Sequence, residues 1–326
     1  MLAPKRSTMT EKHTLNSTKN YHMGSLQSLG WELTICNALY PEGTPLRKLL
    51  MHNKSFGCLL YNYLSKFMPM AKVSRVLEVA GGYGYLMRDF FEKNRALSAC
   101  MLDISPVLLE KQRDTLNGLS VDFREEDFLE TELSELSEFD LAIMNENIGD
   151  FPSLINLDTE IFDRQIDDND LVLKWVKELI EKYNLDKAQG ETFNMNIGAI
   201  EALEKLCNAR IPYIYIGEHS CEASVPAELR STINIKSTGN PERIRLAGHD
   251  EYTIKFSYLE KVAAFHDYRS IRGQFVDFIN VKISDEARFA LTYGGNYSDE
   301  AEMMSQFIED LYKYEYLILM KQEATL

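Results

Sequence analysis

The chain has 326 residues, 45% of them hydrophobic and 26% charged, which suits one large globular domain with additions, or two domains. Its 50 acidic against 35 basic residues leave a net charge of −15, so the surface repels phosphate backbones and nucleic acid is excluded as a bulk partner. The five cysteines are scattered and odd in number, which excludes a disulfide framework and a paired-cysteine zinc site and points to a reducing compartment, the cytoplasm. No stretch approaches the ~20 apolar residues that span a bilayer, so no membrane association is expected.

Residues 1–22 are polar and rich in Ser, Thr and Lys, and are expected to be a flexible tail. Glu11 and the lack of an Arg-rich amphipathic pattern make a mitochondrial presequence, and hence the matrix, the weaker alternative. Residues 23–70 read as a helical cap: Leu26, Leu29, Leu33 and Cys36 share one face, and Leu46, Leu49, Leu50, Phe56, Leu59, Leu60, Tyr63 and Phe67 continue it. Tyr61, Tyr63 and Phe67 at helical spacing read as core. Pro41, Gly43 and Pro45 separate the helices and Pro69 ends the last.

The period then changes. Residues 73–80 are a short apolar run opening on the turn Gly81-Gly82-Tyr83-Gly84, followed by a helix over 85–94. A second apolar run at 97–102 ends on Asp103, and Ser105-Pro106 starts a helix that Asn117-Gly118 stops. A third strand is expected over 121–128 and a fourth over 139–144, leading to Asn145-Glu146-Asn147. Alternating strands and helices, with strands apolar on both faces, predict an α/β fold: a Rossmann-like parallel sheet with helices on both sides. That domain is expected to span 71–282, with an insertion on the substrate side at 150–195 after strand 4. Within the insertion, residues 158–170 carry six acidic side chains against one Arg, and a helix follows over 171–183. A helix at 197–207 leads to a fifth strand at 211–216. Further on come a strand-like 252–254, a helix at 258–265 and an alternating run at 274–279. Residues 283–326 are expected to be a helical extension, with one long helix over 302–320. That helix alone does not establish a dimer, and a homodimer stays open.

The chemistry is expected at the glycine turn. A Gly-rich turn between a buried strand and a helix brings backbone N–H groups close to a ligand. Dinucleotide enzymes use G-x-G-x-x-G there, but Gly82-Tyr83-Gly84-Tyr85-Leu86-Met87 lacks the third glycine. In its place the loop carries Glu78, which would repel a phosphate and suits a ligand bearing an ammonium group. Asp103 and Ile104 close the second strand, where a carboxylate can accept both hydroxyls of a ribose. Asp127 and Phe128 close the third, within reach of an adenine amino group and ring face. Asn145 and Glu146 close the fourth, beside the group to be transferred. These positions assign S-adenosylmethionine as ligand, bound by Glu78, Ala80, Gly82, Gly84, Asp103, Ile104, Asp127, Phe128 and Asn145, with S-adenosylhomocysteine as product.

The run Val76-Leu77-Glu78-Val79-Ala80-Gly81-Gly82-Tyr83-Gly84 resembles motif I of class I S-adenosylmethionine-dependent methyltransferases, with Ala80 in place of a usual glycine. Asp103 and Asp127-Phe128 match the acidic positions of the next motifs, and the resemblance covers 74–219. A narrower one exists as well. Asn145-Glu146-Asn147-Ile148-Gly149-Asp150-Phe151-Pro152 is similar to the Asn-Glu-x-x-Asp-Ala-Leu-Pro element of MidA-like methyltransferases, though its aspartate stands one place late and Gly149 fills the slot. Phe256-Ser257-Tyr258-Leu259 and Gly273-Gln274-Phe275 echo that family's C-terminal half, whereas Thr253-Ile254-Lys255-Phe256 replaces its His-Val-Asp-Phe. Some members methylate an arginine in a subunit of respiratory complex I, so the resemblance implies a protein arginine as acceptor.

Glu146 is the first candidate for catalytic base, with Asp150 and Glu218 behind it; the competing reading of Glu146 is a helix cap or a solvated loop residue. His219 is more simply a hydrogen-bonded histidine, and His219, His249 and His266 share no ligand spacing, so no metal is expected. Three functions stay open: methylation of a protein side chain, methylation of a small molecule at O or N, and a non-catalytic assembly factor that binds the cofactor.

Overall fold

A computed structural model describes residues 13–26, 34–166, 169–233, 235–282, 284–293 and 298–322. Its strands are β1 (Thr14–Asn16), β2 (Arg75–Val79), β3 (Ser98–Asp103), β4 (Val121–Glu125), β5 (Leu141–Asn145), β6 (Ser153–Asp158), β7 (Thr192–Met195), β8 (Tyr213–His219), β9 (Arg243–Arg245), β10 (Asp250–Tyr252), β11 (Tyr268–Gln274) and β12 (Tyr314–Lys321). Seven form the main sheet in the order β11-β12-β8-β5-β2-β3-β4. The β4-β3-β2-β5-β8 run is parallel, and β12 pairs antiparallel with both β8 and β11.

Alternation along each strand explains the burial of both sheet faces. Leu77, Cys100, Leu102, Ala142, Met144, Ile214 and Ile216 join one apolar cluster with the helices Leu171–Lys182, Ile197–Asn208 and Phe256–Phe265. Val76, Ala99, Met101, Leu141, Ile143 and Tyr215 join the other, with Ile35–Leu39, Phe56–Leu64, Tyr85–Lys93 and Asp299–Lys313. A strand covered on both faces has no polar side to show, hence the unbroken apolar runs. Tyr63 packs in the second cluster and shares a 2.6 Å hydroxyl–hydroxyl hydrogen bond with Tyr316, as the core reading of that aromatic set requires.

Several expectations need correction. The long C-terminal helix ends at Lys313, and residues 314–321 are instead β12, a strand inside the main sheet. The 274–279 run is a 3₁₀ turn at Phe275–Asp277, and the strand lies before it at Tyr268–Gln274. Residues 13–22 are not a loose tail. Thr14–Asn16 pairs antiparallel with β6, whose other edge holds β7, and Lys19–Gly24 is a short helix. The segment is tied by Asn16 Nδ2 to the Asp250 carbonyl at 2.9 Å and by Thr18 Oγ1 to the Asp150 carbonyl at 2.8 Å. Residues 1–12, 27–33, with Leu29 and Leu33 of the expected cap, and the 167–168 part of the acidic run lie outside the described residues. Among the described residues no helix is long and apolar enough to cross a membrane.

Candidate active site at the strand tips

The carboxyl ends of β2, β3, β5 and β8 open into one cavity of about 520 Å³, where α/β sheets of this topology bind ligands. Its wall includes eleven of the residues singled out in the sequence: Glu78, Ala80, Gly82, Asp103, Ile104, Asp127, Phe128, Asn145, Glu146, Asp150 and Glu218. Gly84 is not among them. It sits at φ +79° as the N-cap of helix Tyr85–Lys93, where a Cβ would meet Leu116, so it shapes the turn.

The loop after β2 is built for close approach. Ala80, Gly82 and Gly84 all have positive φ, at 48°, 54° and 79°. A Cβ on Gly81 would stand 2.5 Å from Met101 Cε and 2.8 Å from Glu78 Cδ, so only glycine leaves the Glu78 side chain its place. Glu78 is 2% exposed, and its Oε2 has no hydrogen-bond partner among the described residues. Burial, with the Asp103 charge second, pushes its carboxyl up to about 8. A buried carboxylate with an unused oxygen is costly unless a ligand completes it. An ammonium group could do so.

Asp103 is also 2% exposed. Its Oδ1 accepts from Ser105 N–H at 2.9 Å and its Oδ2 from Gln112 Nε2 at 2.9 Å. These bonds partly offset the burial that raises the group to about 6. Gln112 also donates to the Gly82 carbonyl at 3.1 Å, so one amide braces the glycine loop against the Asp103 carboxylate. Its place mid-helix on Pro106–Thr115, outside both motifs, hid it in the sequence. Asp127 Oδ2 accepts from Lys19 Nζ at 2.7 Å and Oδ1 from Leu129 N–H at 2.9 Å, so the N-terminal segment reaches the far side of the cavity. Phe128 is buried in the wall beside it.

At the tip of β5, Asn147 Nδ2 donates to the Val79 carbonyl, fixing this loop to the glycine loop. Glu146 is held at φ 55°, a left-handed conformation that costs a non-glycine residue about 1–3 kcal/mol. Its Oε2 accepts from Ile35 N–H at 2.7 Å, and its Oε1 from Cys36 N–H at 3.1 Å and Asn145 Nδ2 at 2.9 Å. It therefore caps helix Ile35–Leu39 while lining the cavity, joining the two readings of that residue. Burial lifts its carboxyl to about 7 against those hydrogen bonds. Glu218 is 4% exposed and accepts from Gly149 N–H at 3.2 Å and His219 N–H at 2.8 Å. Burial, then the charges of Glu251 and Glu146, raise it well above the carboxylate range. His219 is pushed down to about 3 by burial, and its ring lies 3.8 Å from that of Tyr314; it is a neutral wall residue.

Asp150 takes another role in the geometry. Its Oδ1 lies 3.0 Å from His22 Nε2 and 3.3 Å from His249 Nε2. Nothing in the sequence spacing foretells this meeting, because the partners come from the N-terminal helix, the β5 tip and the β9–β10 hairpin. His266 is elsewhere, 3.4 Å from the Tyr183 hydroxyl.

Residues 76–157 match the family model described as a methyltransferase domain. Among solved structures, an uncharacterized superfamily protein from Burkholderia thailandensis superposes with a TM-score of 0.55 at 15% identity, over 93% of this chain and 85% of that one. A member of the same superfamily from that organism, bound to S-adenosyl-homocysteine, aligns at 14% identity and TM-score 0.49, over 82% of this chain and 76% of that one. A S-adenosylmethionine-dependent methyltransferase from Mesorhizobium loti aligns at 11% identity and TM-score 0.46, over 81% and 98%. Among curated proteins none matches the sequence. The superposition on the first of these establishes the fold, and the family match marks residues 76–157, which include the glycine loop, as a methyltransferase domain. Its methyl donor is S-adenosylmethionine.

Proposed function

We propose that the methyl acceptor is a nitrogen on a cationic side chain of a protein, arginine first, received at the β5–β8 end of the cavity. The observation that carries this reading is the pair Glu146, half-buried, and Glu218, buried, which line the cavity together with Tyr314, the Glu146 charge helping to raise Glu218. Two acids forced together in a low-dielectric wall favour a cation between them. S-adenosylmethionine supplies a methyl on a sulfonium, so the protein's tasks are alignment and exclusion of water. Glu78 would hold the ammonium group of the donor, Asp103 its ribose hydroxyls, and Asp127 with Phe128 the adenine. Glu146, lifted to about 7, is suited to orient a guanidinium and take up the proton that it sheds after attack.

A small-molecule acceptor is the second reading, favoured by cavity size. At about 520 Å³ the space lies within the roughly 300–1,000 Å³ of ordinary ligand pockets, enough for the donor and one compact partner. The discriminating experiment is transfer of labelled methyl from S-adenosylmethionine to cell lysate, separated into protein and small-molecule fractions. Label in protein, released as methylarginine on hydrolysis, supports the first reading. Label in the small-molecule fraction replaces it, and donor binding without label in either leaves a cofactor-binding assembly factor. The free cysteines agree with a reducing compartment, for which the cytoplasm is our reading.

A further inference from the structure

We propose that His22, Asp150 and His249 form a binding site for one divalent first-row transition-metal ion, at the rim of the cofactor cavity. One donor atom from each, two imidazole Nε2 and a carboxylate Oδ1, lies within 4.8 Å of the others. The two contacts to Asp150 Oδ1 measure 3.0 and 3.3 Å. Ligands bound at about 2.0–2.2 Å on an octahedral or tetrahedral ion stand roughly 2.8–3.6 Å apart, so both contacts to Asp150 have the spacing of neighbouring ligands.

Direction supports the same conclusion. His22 Nε2 and Asp150 Oδ1 are buried, yet at 3.0 Å neither has a partner among the described residues that meets hydrogen-bond geometry. An N–H···O bond of that length would be expected to point along the line between them. Two buried ligand-type atoms at that distance without such a bond leave room for an ion to join them. Two nitrogens and a carboxylate oxygen suit zinc, iron, manganese or cobalt better than calcium or magnesium, which take all-oxygen sets.

The surroundings hold the ligands in place. Tyr21 stacks on the His249 ring with centroids 4.2 Å apart. Gly248 has φ +105°, and a Cβ there would lie 2.7 Å from the Tyr21 ring, so the hairpin approaches the helix only through glycine. Glu251 Oε1 stands 3.2 Å from the same His249 Nε2, a contact that an ion at that nitrogen would replace, and Thr18 Oγ1 donates to the Asp150 backbone carbonyl. The Tyr21 stack and the Thr18 bond steady the ring and the backbone that carry these ligands. Because His22 rides on the N-terminal segment that also places Lys19 on Asp127, the ion would pin that segment over the donor cavity. The inference is independent of the acceptor.

The test is titration of Zn²⁺ into the metal-stripped full chain by calorimetry, with Co²⁺ absorption in parallel. One equivalent should bind, with cobalt bands free of thiolate charge transfer. His22→Ala and His249→Ala should each weaken binding at least 100-fold. Cys58→Ser should leave it unchanged, because Cys58, Asp89 and Glu92 are the other geometric grouping among the described residues. His22→Ala lies on a short helix outside the main sheet, so an unchanged metal-free melting curve separates lost ligation from lost fold. Absence of stoichiometric binding, or binding that survives both histidine variants and falls with Cys58→Ser, overturns the site.

Discussion

Replacing Glu78 by glutamine isolates the charge on which donor recognition is argued to depend. The carboxyl is lifted to about 8 by burial, from an ordinary value of 4.5, and one of its oxygens lacks a partner. An ammonium group binding there favours the ionised form, so below pH 8 binding must release a proton, and affinity rises with pH. The ligand's α-amino group, with a free value of about 8, loses its own proton above that. The fraction of encounters with both groups charged therefore falls roughly 25-fold from pH 8 to pH 6, and affinity peaks near pH 8. Glutamine removes the acidic limb. It also forfeits a charge-assisted hydrogen bond of about 1.5–3 kcal/mol, so at pH 8 the dissociation constant should rise about 10- to 150-fold. The sign reverses for the protein alone. A carboxyl whose folded value is raised contributes stability below the ordinary carboxylate range, and that contribution is lost as pH rises through about 8. Without cofactor, Glu78→Gln should then melt higher than wild type at pH 8 and alike at pH 5. Calorimetry at pH 6, 7 and 8, in two buffers of different ionisation enthalpy, reads both affinity and proton release. A wild-type affinity flat between pH 6 and 8, or an equal slope in the variant, would refute the reasoning.

Three further outcomes are expected. Glu146→Gln keeps an oxygen for helix Ile35–Leu39 but loses the base, so kcat should drop about 100-fold while donor affinity moves less than threefold in calorimetry; the opposite order would remove Glu146 from catalysis. Gly81→Ala should push Glu78 aside, since the new methyl would stand 2.8 Å from its Cδ, weakening donor binding more than tenfold with little change in circular dichroism. Gln112→Ala unties Gly82 from Asp103 and should raise the donor dissociation constant about tenfold through two lost hydrogen bonds; an unchanged constant would make the brace incidental.

The parts of this fold legible in the sequence are those whose cause is local. The β2 strand, its glycine turn and the following helix announce themselves through apolar run, turn residues and period. Ser105 caps Pro106–Thr115 as its residue type predicts, accepting from Leu108 N–H at 3.4 Å. Misreadings came where no local signal separates the states. Between Lys313 and Tyr314 stands no glycine or proline, and Tyr314-Glu315-Tyr316-Leu317-Ile318-Leu319-Met320 is apolar enough to prolong an amphipathic helix. Only the gap between β8 and β11 makes it extended. Strand β11, Tyr-Arg-Ser-Ile-Arg-Gly-Gln, is half-buried at the sheet edge, so its polar composition concealed it. In the site, carboxylates at strand tips were visible because strand ends can be counted. The clamp of Lys19 on Asp127 and the meeting of His22 with His249 were not, for their partners lie more than 100 residues apart and depend on a polar segment whose docking no composition reveals.

The position of β12 also bears on the order in which the molecule can be made. During synthesis β8 and β11 emerge with no strand to join them. Until residues 314–321 arrive, β8 has an open edge beside the growing sheet and β11 has no sheet at all. Such edges recruit strands from other chains, so the nascent protein passes through a stage of exposure that ends only when β12 is made. A protease cut or premature stop after Lys313 would leave that stage permanent, although the glycine loop and every strand-tip carboxylate of the cavity had already been translated.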